Sequence, residues 1–177
     1  GVIFAIDYNR ELNLLVSASD DRSVRIWTSD QKSVSDSSEF WNQNKFSLYH
    51  VFYGHLSRIW SVMTISHLMP IAITVGEDSY VYFWNINDRK LIQRVDGHKN
   101  SSIWSMTADM QSMVTFFGGS DCCINIIDIS NAIKSPELVT GHDLHPKQIK
   151  FIVHKNLDIF CCDIFGELIL MSSEVSD

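Results

Sequence analysis

A Gly-His pair recurs down this chain at a fixed distance from the residues that follow it, and no other feature limits the fold as strongly. Gly54-His55 is followed 23 residues after the His by Asp78, and then by Trp84. Gly97-His98 leads at the same offset to Asp121, with Ile127 in the Trp place, and Gly141-His142 leads to Phe165, with Met171 in that place. A first repeat lacks the pair but keeps Asp21 and Trp27. The period of 43 to 44 residues is that of one supersecondary unit, which buries its apolar face by stacking on copies of itself.

Inside each repeat the apolar period is two, which argues for short strands. The second repeat shows it in Ile59 to Thr64, Ile71 to Val75, Tyr80 to Trp84 and Leu91 to Val95. Turn formers separate these runs: a segment ending in Pro70, then Gly76 to Ser79, then Asn85 to Asp88. Four strands joined by hairpins make one blade. Repetition predicts an all-β propeller, whose blades protect their edges by packing around an axis. The expected repeats are 1–53, 54–96, 97–140 and 141–177, about four consecutive blades with the first and last incomplete. Trp27 to Gly54 is 14 residues longer than Trp84 to Gly97, which predicts a polar loop insertion over 28–45. Known propellers use about four to eight blades, so the chain reads as a fragment of a larger propeller, cut from a longer protein.

Three prolines and 45% hydrophobic residues suit a packed core, and no run approaches the length of a membrane-spanning helix. The opening residues, Gly1 to Ile6, lack the basic leader of a signal peptide. A formal charge of −7 weighs against direct binding of a polyanion, DNA included, because phosphate contacts need clustered Lys and Arg. The cysteines fall in two adjacent pairs, Cys122-Cys123 and Cys161-Cys162. Neighbours on a strand point to opposite faces, which suits neither a disulfide nor a CxxC metal half-site. Free thiols in a reducing compartment are expected.

The recurring polar residues carry a structural reading. Ser17 and Thr74 stand four residues before Asp21 and Asp78. In the second repeat His55, Thr74, Asp78 and Trp84 are expected to meet as a hydrogen-bonded relay; Ser17, Asp21 and Trp27 supply it in the first repeat, and His98 and Asp121 its remnant in the third. Leaving one member of such a buried network unpaired costs about 1–3 kcal/mol. The trio also resembles a Ser/Thr-His-Asp catalytic triad, which needs an exposed nucleophile and oxyanion donors beside it. Recurrence in register with Trp assigns it to structure instead. Gly118-Gly119 lacks the Lys and helix of a phosphate loop, and no His or Cys spacing suggests zinc. The expectation is a non-enzyme with no cofactor or metal of its own. Phe117 and Ile127 in the third repeat, and Cys161, Phe165 and Met171 in the fourth, replace relay members. There the whole network is expected to be given up together, leaving Asp121 and His142 solvated.

Partner contacts are expected on the loops at the Gly-His face. Arg22 and Tyr80 follow the Asp positions, and Arg58, Ile59 and Trp60 open the next strand. Trp41 is an aromatic docking candidate within the insertion. Arginine suits such a role because its planar guanidinium pairs with carboxylate or phosphate in bidentate fashion.

Gly1 to Tyr8, Leu15 to Trp27 and Tyr53 to Trp60 together resemble the WD repeat-containing protein 6 family, and Gly76 to Asp78 and Gly97-His98 with Ser102 to Trp104 extend the likeness. The resemblance implies a large cytoplasmic multi-propeller protein that partners a tRNA 2′-O-ribose methyltransferase. Such a protein holds the enzyme and helps present tRNA for methylation of the anticodon wobble nucleotide; S-adenosylmethionine belongs to the enzyme. The alternative is a generic WD-repeat scaffold in a ubiquitin-ligase, trafficking or signalling assembly.

Overall fold

The computed structural model describes residues 1–29, 45–66 and 69–129, and beyond them the backbone of four strands, Leu138–His142, Ile149–Lys155, Asp158–Asp163 and Leu168–Ser172. Among the described residues every regular element is a strand. The first sheet holds β1 (Ile3–Asn9), β2 (Leu14–Ser19), β3 (Ser23–Ser29) and β4 (Phe46–Tyr53), with neighbours in chain order. The second holds β5 (Ile59–Ile65), β6 (Ile71–Gly76), β7 (Tyr80–Asn85) and β8 (Lys90–Asp96). β9 (Ile103–Asp109), β10 (Val114–Gly119), β11 (Ile124–Asp128) and β12 (Leu138–His142) make the third; β13 (Ile149–Lys155), β14 (Asp158–Asp163) and β15 (Leu168–Ser172) make the last. Each repeat is thus one meander of strands, as the period-two pattern requires.

Two compact units contain these strands: Gly1–Thr74 with Tyr82–Gln93, and Val75–Val81 with Arg94–Asp177. In the first, β1 and β2 lie along β5. Val16, Ala18, Val24 and Ile26 fill its core beside Ile59, Ile73 and Phe83, all fully buried. In the second, β9 and β10 lie along β13, and Ile103, Phe117, Ile124 and Ile127 are buried.

The hairpin after the second strand has one backbone signature in the first three blades. Arg22, Ser79 and Cys122, each directly after the Asp of its repeat, have φ of 67°, 68° and 65°. This left-handed conformation, unusual for residues other than glycine, Asn and Asp, lets the chain reverse beside the Asp. It also corrects the pairing of Arg22 with Tyr80, because Ser79 occupies the turn position and Tyr80 is the first residue of β7.

Two boundaries differ from the sequence expectation. Thr28 and Ser29 belong to β3, where Thr28 pairs with Ser47 and Ser29 with Phe46, so the expected insertion over 28–45 begins after the strand; residues 30–44, Trp41 among them, lie outside the described residues. Gly141 and His142, expected to open the fourth repeat, instead end β12, opposite Asn125 and Ile124. Pairing with β11 sets that register, whereas in the first sheet the strand ends at Tyr53, before Gly54-His55.

Candidate functional site

The second blade builds its relay around one hydroxyl. Thr74, fully buried on β6, accepts the indole Nε1–H of Trp84 at 2.8 Å, and its Oγ1 lies 2.7 Å from Nε2 of His55. Phe52 and Tyr82 stack on the Trp84 ring at centroid distances of 5.0 and 5.5 Å, and the His55 ring lies 3.9 Å from that of Tyr82. Asp78 accepts the backbone N–H of Tyr80 at 3.4 Å across the hairpin turn. The glycine of the pair answers to packing: a Cβ on Gly54 would sit 3.0 Å from the Trp84 ring.

The first blade closes the same circuit with Ser17, which accepts Trp27 Nε1–H at 3.0 Å. Its Asp21 divides its oxygens. Oδ1 accepts the backbone N–H of Ser23 at 3.0 Å and also its hydroxyl, while Oδ2 takes the Arg25 guanidinium at 3.0 Å. The Ser23 hydroxyl bond is the main cause holding the Asp21 carboxyl below its usual pKa; burial opposes it, and the Ser23 N–H and Arg25 add to it.

The third blade departs from the expectation that the network is abandoned together. Asp121 is not left to solvent: its Oδ2 lies 2.5 Å from Nδ1 of buried His98, and its Oδ1 accepts the Cys123 N–H at 3.1 Å. Nε2 of His98 faces the backbone carbonyl of Phe117 at 3.4 Å, so a main-chain acceptor stands where Thr74 offers a hydroxyl. Side chains of the fourth repeat, including His142, Cys161 and Met171, lie outside the described residues, as does Phe165.

One functional position escaped the sequence reading. Two residues before the Trp position stand Arg25, Tyr82 and Asn125. The Tyr82 hydroxyl donates to Gly54 O at 3.3 Å, and Asn125 Nδ2 donates to Gly97 O at 2.5 Å, tying each Gly-His loop to the third strand of its own blade. A polar group at one register of an otherwise apolar strand was the available signal.

At the loop end of the first unit Arg22 and Arg58 are exposed. Ile59 is fully buried, which removes it as a contact residue: it opens β5 with its side chain in the core. Trp60 is half-buried, its ring 4.4 Å from that of Phe4 and its Nε1 sealed from solvent without a partner. Tyr80 is half-buried under the Arg94 guanidinium, 4.8 Å from its ring centroid. Exposed neighbours that the sequence reading passed over are Tyr53 and Leu56, 73% and 64% exposed. Tyr53 pairs with Ser23, adjacent to Arg22. Among the described residues no group of three or more His, Cys, Asp or Glu side chains could hold a metal ion.

Comparisons with known proteins agree with this architecture. The family model described as "WD domain, G-beta repeat" matches residues 1–28 and 46–85, the two blades that carry the hydroxyl–Trp circuit. Over 126 residues, 71% of this chain and 10% of theirs, it is 32% identical to the "tRNA (34-2'-O)-methyltransferase regulator WDR6" of Bos taurus and 31% identical to that of Homo sapiens. The Drosophila melanogaster protein of that name is 34% identical over 95 residues, 53% of this chain and 9% of its own. The chain therefore spans about a tenth of the length of these curated relatives. Among solved structures the computationally designed Ika4 protein superimposes with a TM-score of 0.72 at 19% identity, covering 97% of this chain and 91% of that one. Ika8, also designed, gives 0.71 at 19% identity, with 97% of this chain and 46% of that one covered. With its four-stranded blades and their Ser/Thr–Trp circuits, the chain is a WDR6-like WD-repeat protein with a β-propeller fold.

Proposed function

We propose that this chain is a non-catalytic part of a scaffold that binds a tRNA 2′-O-ribose methyltransferase and supports methylation of the anticodon wobble nucleotide. The observation that carries this reading is the 30–34% identity to proteins named as regulators of a tRNA (34-2'-O)-methyltransferase. The geometry favours a scaffold over an enzyme, because the Thr-His pair resembling a catalytic dyad is fully engaged. Thr74 is 0% exposed and spends its oxygen on Trp84 and His55, so no substrate reaches it as a nucleophile. Methyl transfer and its S-adenosylmethionine belong to the partner.

Arg22, Tyr53, Leu56 and Arg58 are the docking residues of this reading. Tyrosine and arginine are the side chains that most often dominate interface energetics, and Leu56 adds apolar surface beside them. The protein acts in the cytoplasm, and tRNA is engaged through the whole complex.

The test is affinity purification of the full-length protein with quantitative mass spectrometry, followed by methylation assays on purified components. Co-purification of a methyltransferase, and wobble 2′-O-methylation only when both proteins are present, is the expected result. Recovery of ubiquitin-ligase, coat or kinase components without a methyltransferase would move the chain to another scaffold. Methyl transfer by the purified WD-repeat protein alone would overturn its non-catalytic role.

A further inference from the structure

The loop end of the first unit carries side chains that packing within the blade does not call for. In repeat register Tyr53 corresponds to Asp96 and Leu56 to Lys99, and all four are exposed. The fold therefore turns these two positions to water in both loops. The later loop fills them with charged residues, which water solvates well. The earlier one fills them with Tyr53 and Leu56, 73% and 64% exposed. Large apolar side chains held in solvent cost hydration free energy, and burial under a partner recovers it.

Two guanidiniums flank this apolar pair. Arg22 occupies the left-handed turn position after Asp21, where the next two repeats place Ser79 and Cys122. Arg58 directly precedes Ile59, where the next repeat has Ser102 before Ile103. Both arginines are exposed. Tyr53 pairs with Ser23, the neighbour of Arg22, and Leu56 stands two residues before Arg58. One stretch of surface thus runs from Arg22 through Tyr53 and Leu56 to Arg58. Carboxylates on the same hairpin have partners of their own: Asp21 takes Arg25 at 3.0 Å and the Ser23 N–H at 3.0 Å, and Asp20 accepts the Ser19 hydroxyl at 3.3 Å.

We propose that this surface takes an acidic segment of the methyltransferase, whose carboxylates pair with Arg22 and Arg58 while a large apolar side chain lies on Tyr53 and Leu56. The proposal rests on the methyltransferase reading and adds to it the chemistry of the partner's docking segment. A guanidinium grips a carboxylate through two parallel N–H···O bonds, as it grips a phosphate. Two observations favour the carboxylate. Leu56, aliphatic and exposed between the arginines, offers an RNA backbone neither charge nor hydrogen bond. The chain's formal charge of −7 opposes a polyanion, and two arginines are not the clustered Lys and Arg that a phosphate backbone requires. A short acidic segment carries few charges, and this pair of arginines matches them.

The test uses the full-length protein and its methyltransferase, purified separately, with binding followed by titration calorimetry over a salt series. Arg22→Glu combined with Arg58→Glu should weaken binding about tenfold and flatten its salt dependence, and Leu56→Ser should weaken it about as much with the salt dependence kept. Unfolding midpoints should stay at the wild-type value. Arg58→Lys locates the contact, because it keeps the charge and supplies an amine. A carbodiimide joins that amine to a carboxylate held against it: the amide bond forms and the carbodiimide takes up the elements of water as its urea. Peptide mass spectrometry should find the bond at an Asp or Glu of the methyltransferase close to a large apolar residue. Undiminished affinity in the charge-reversed variant would overturn the proposal and leave the methyltransferase reading standing. A bond found only within the protein's own chain would overturn it too, by returning Arg58 to bracing a neighbouring blade. Weakened tRNA binding by these variants, with methyltransferase binding intact, would overturn it in favour of an RNA contact. No binding of the methyltransferase by the wild-type protein would overturn the reading and the proposal together.

Discussion

Replacing Thr74 by Val removes one oxygen and leaves two buried partners stranded. The two side chains are close in shape, so the loss is chemical. Trp84, 2% exposed, would keep an indole N–H with no acceptor, and the 5% exposed His55 would lose the partner of Nε2. Each such orphan costs about 1–3 kcal/mol, so Thr74→Val should destabilise the chain by about 2–6 kcal/mol. Ser17→Ala in the first blade makes the matched comparison. It orphans only Trp27 Nε1, and Trp27 is half-buried, so water can replace the lost acceptor and the cost should be about 1 kcal/mol. Denaturant unfolding of the full-length protein, followed by tryptophan fluorescence and circular dichroism, reads both. A cycle with Trp84→Phe isolates the hydroxyl–indole pair, because the double variant no longer carries an unpaired N–H. A cost for Thr74→Val below about 0.5 kcal/mol, or an additive cycle, would refute the hydroxyl as the hub of the blade.

Glycine packing and two titrations supply the remaining predictions. Gly97→Ala should cost about 1–3 kcal/mol in the same unfolding assay, since its Cβ would lie 2.8 Å from both Ile103 and Phe117. Gly119→Ala should cost more, because the added carbon would meet the backbone oxygen of Ser102 at 1.8 Å, and that carbonyl is held in place by the Ser120 N–H at 3.0 Å. Asp21 has a folded pKa below its ordinary 3.8, so its contribution is complete above that value and lost as pH falls through the lower folded one; Asp21→Asn should flatten the acid limb of a stability–pH profile. His50 is shifted down from 6.5, by burial first and then by Arg89. The unfolded chain therefore takes up its proton first, stability falls as pH drops below 6.5, and His50→Gln should remove that part of the slope.

The strands were legible because their signal is local. Tyr80 to Trp84 is a short unbroken run of aromatic and β-branched residues bounded by Gly76-Glu77-Asp78-Ser79 on one side and by Asn85 on the other, and β7 occupies Tyr80–Asn85. The Thr74–Trp84 circuit was legible because recurrence at one offset exposes residues whose types complement each other. What hid was set by three dimensions. Nothing in the spelling of Phe117 says that its own carbonyl stands where a hydroxyl was lost, yet that carbonyl faces His98. The two glycines at 118–119 read as a failed phosphate loop, whereas Gly119 lies at a strand irregularity against the Ser102 carbonyl. Register hid as well. Gly141-His142 spells a loop, but hydrogen bonding to β11 extends the strand through it.

The relays make physical sense as two separate circuits rather than one. In the first and third blades the Asp gives Oδ1 to the backbone N–H two residues on, Ser23 or Cys123, and Oδ2 to a basic side chain, Arg25 or His98. That circuit clamps the hairpin and needs neither hydroxyl nor Trp. The second circuit joins a hydroxyl on the second strand to an indole on the third, Ser17 with Trp27 and Thr74 with Trp84. A buried group left unpaired is what costs free energy, so a circuit is kept or lost whole. The third blade obeys this rule. It lost the hydroxyl and the indole together, as Phe117 and Ile127, both fully buried and needing no partner. It kept the Asp–His pair because Phe117 O receives the imidazole edge that Thr74 receives in the second blade. A blade can therefore forfeit its Trp and its recognisable spelling while the loop that opens it stays anchored.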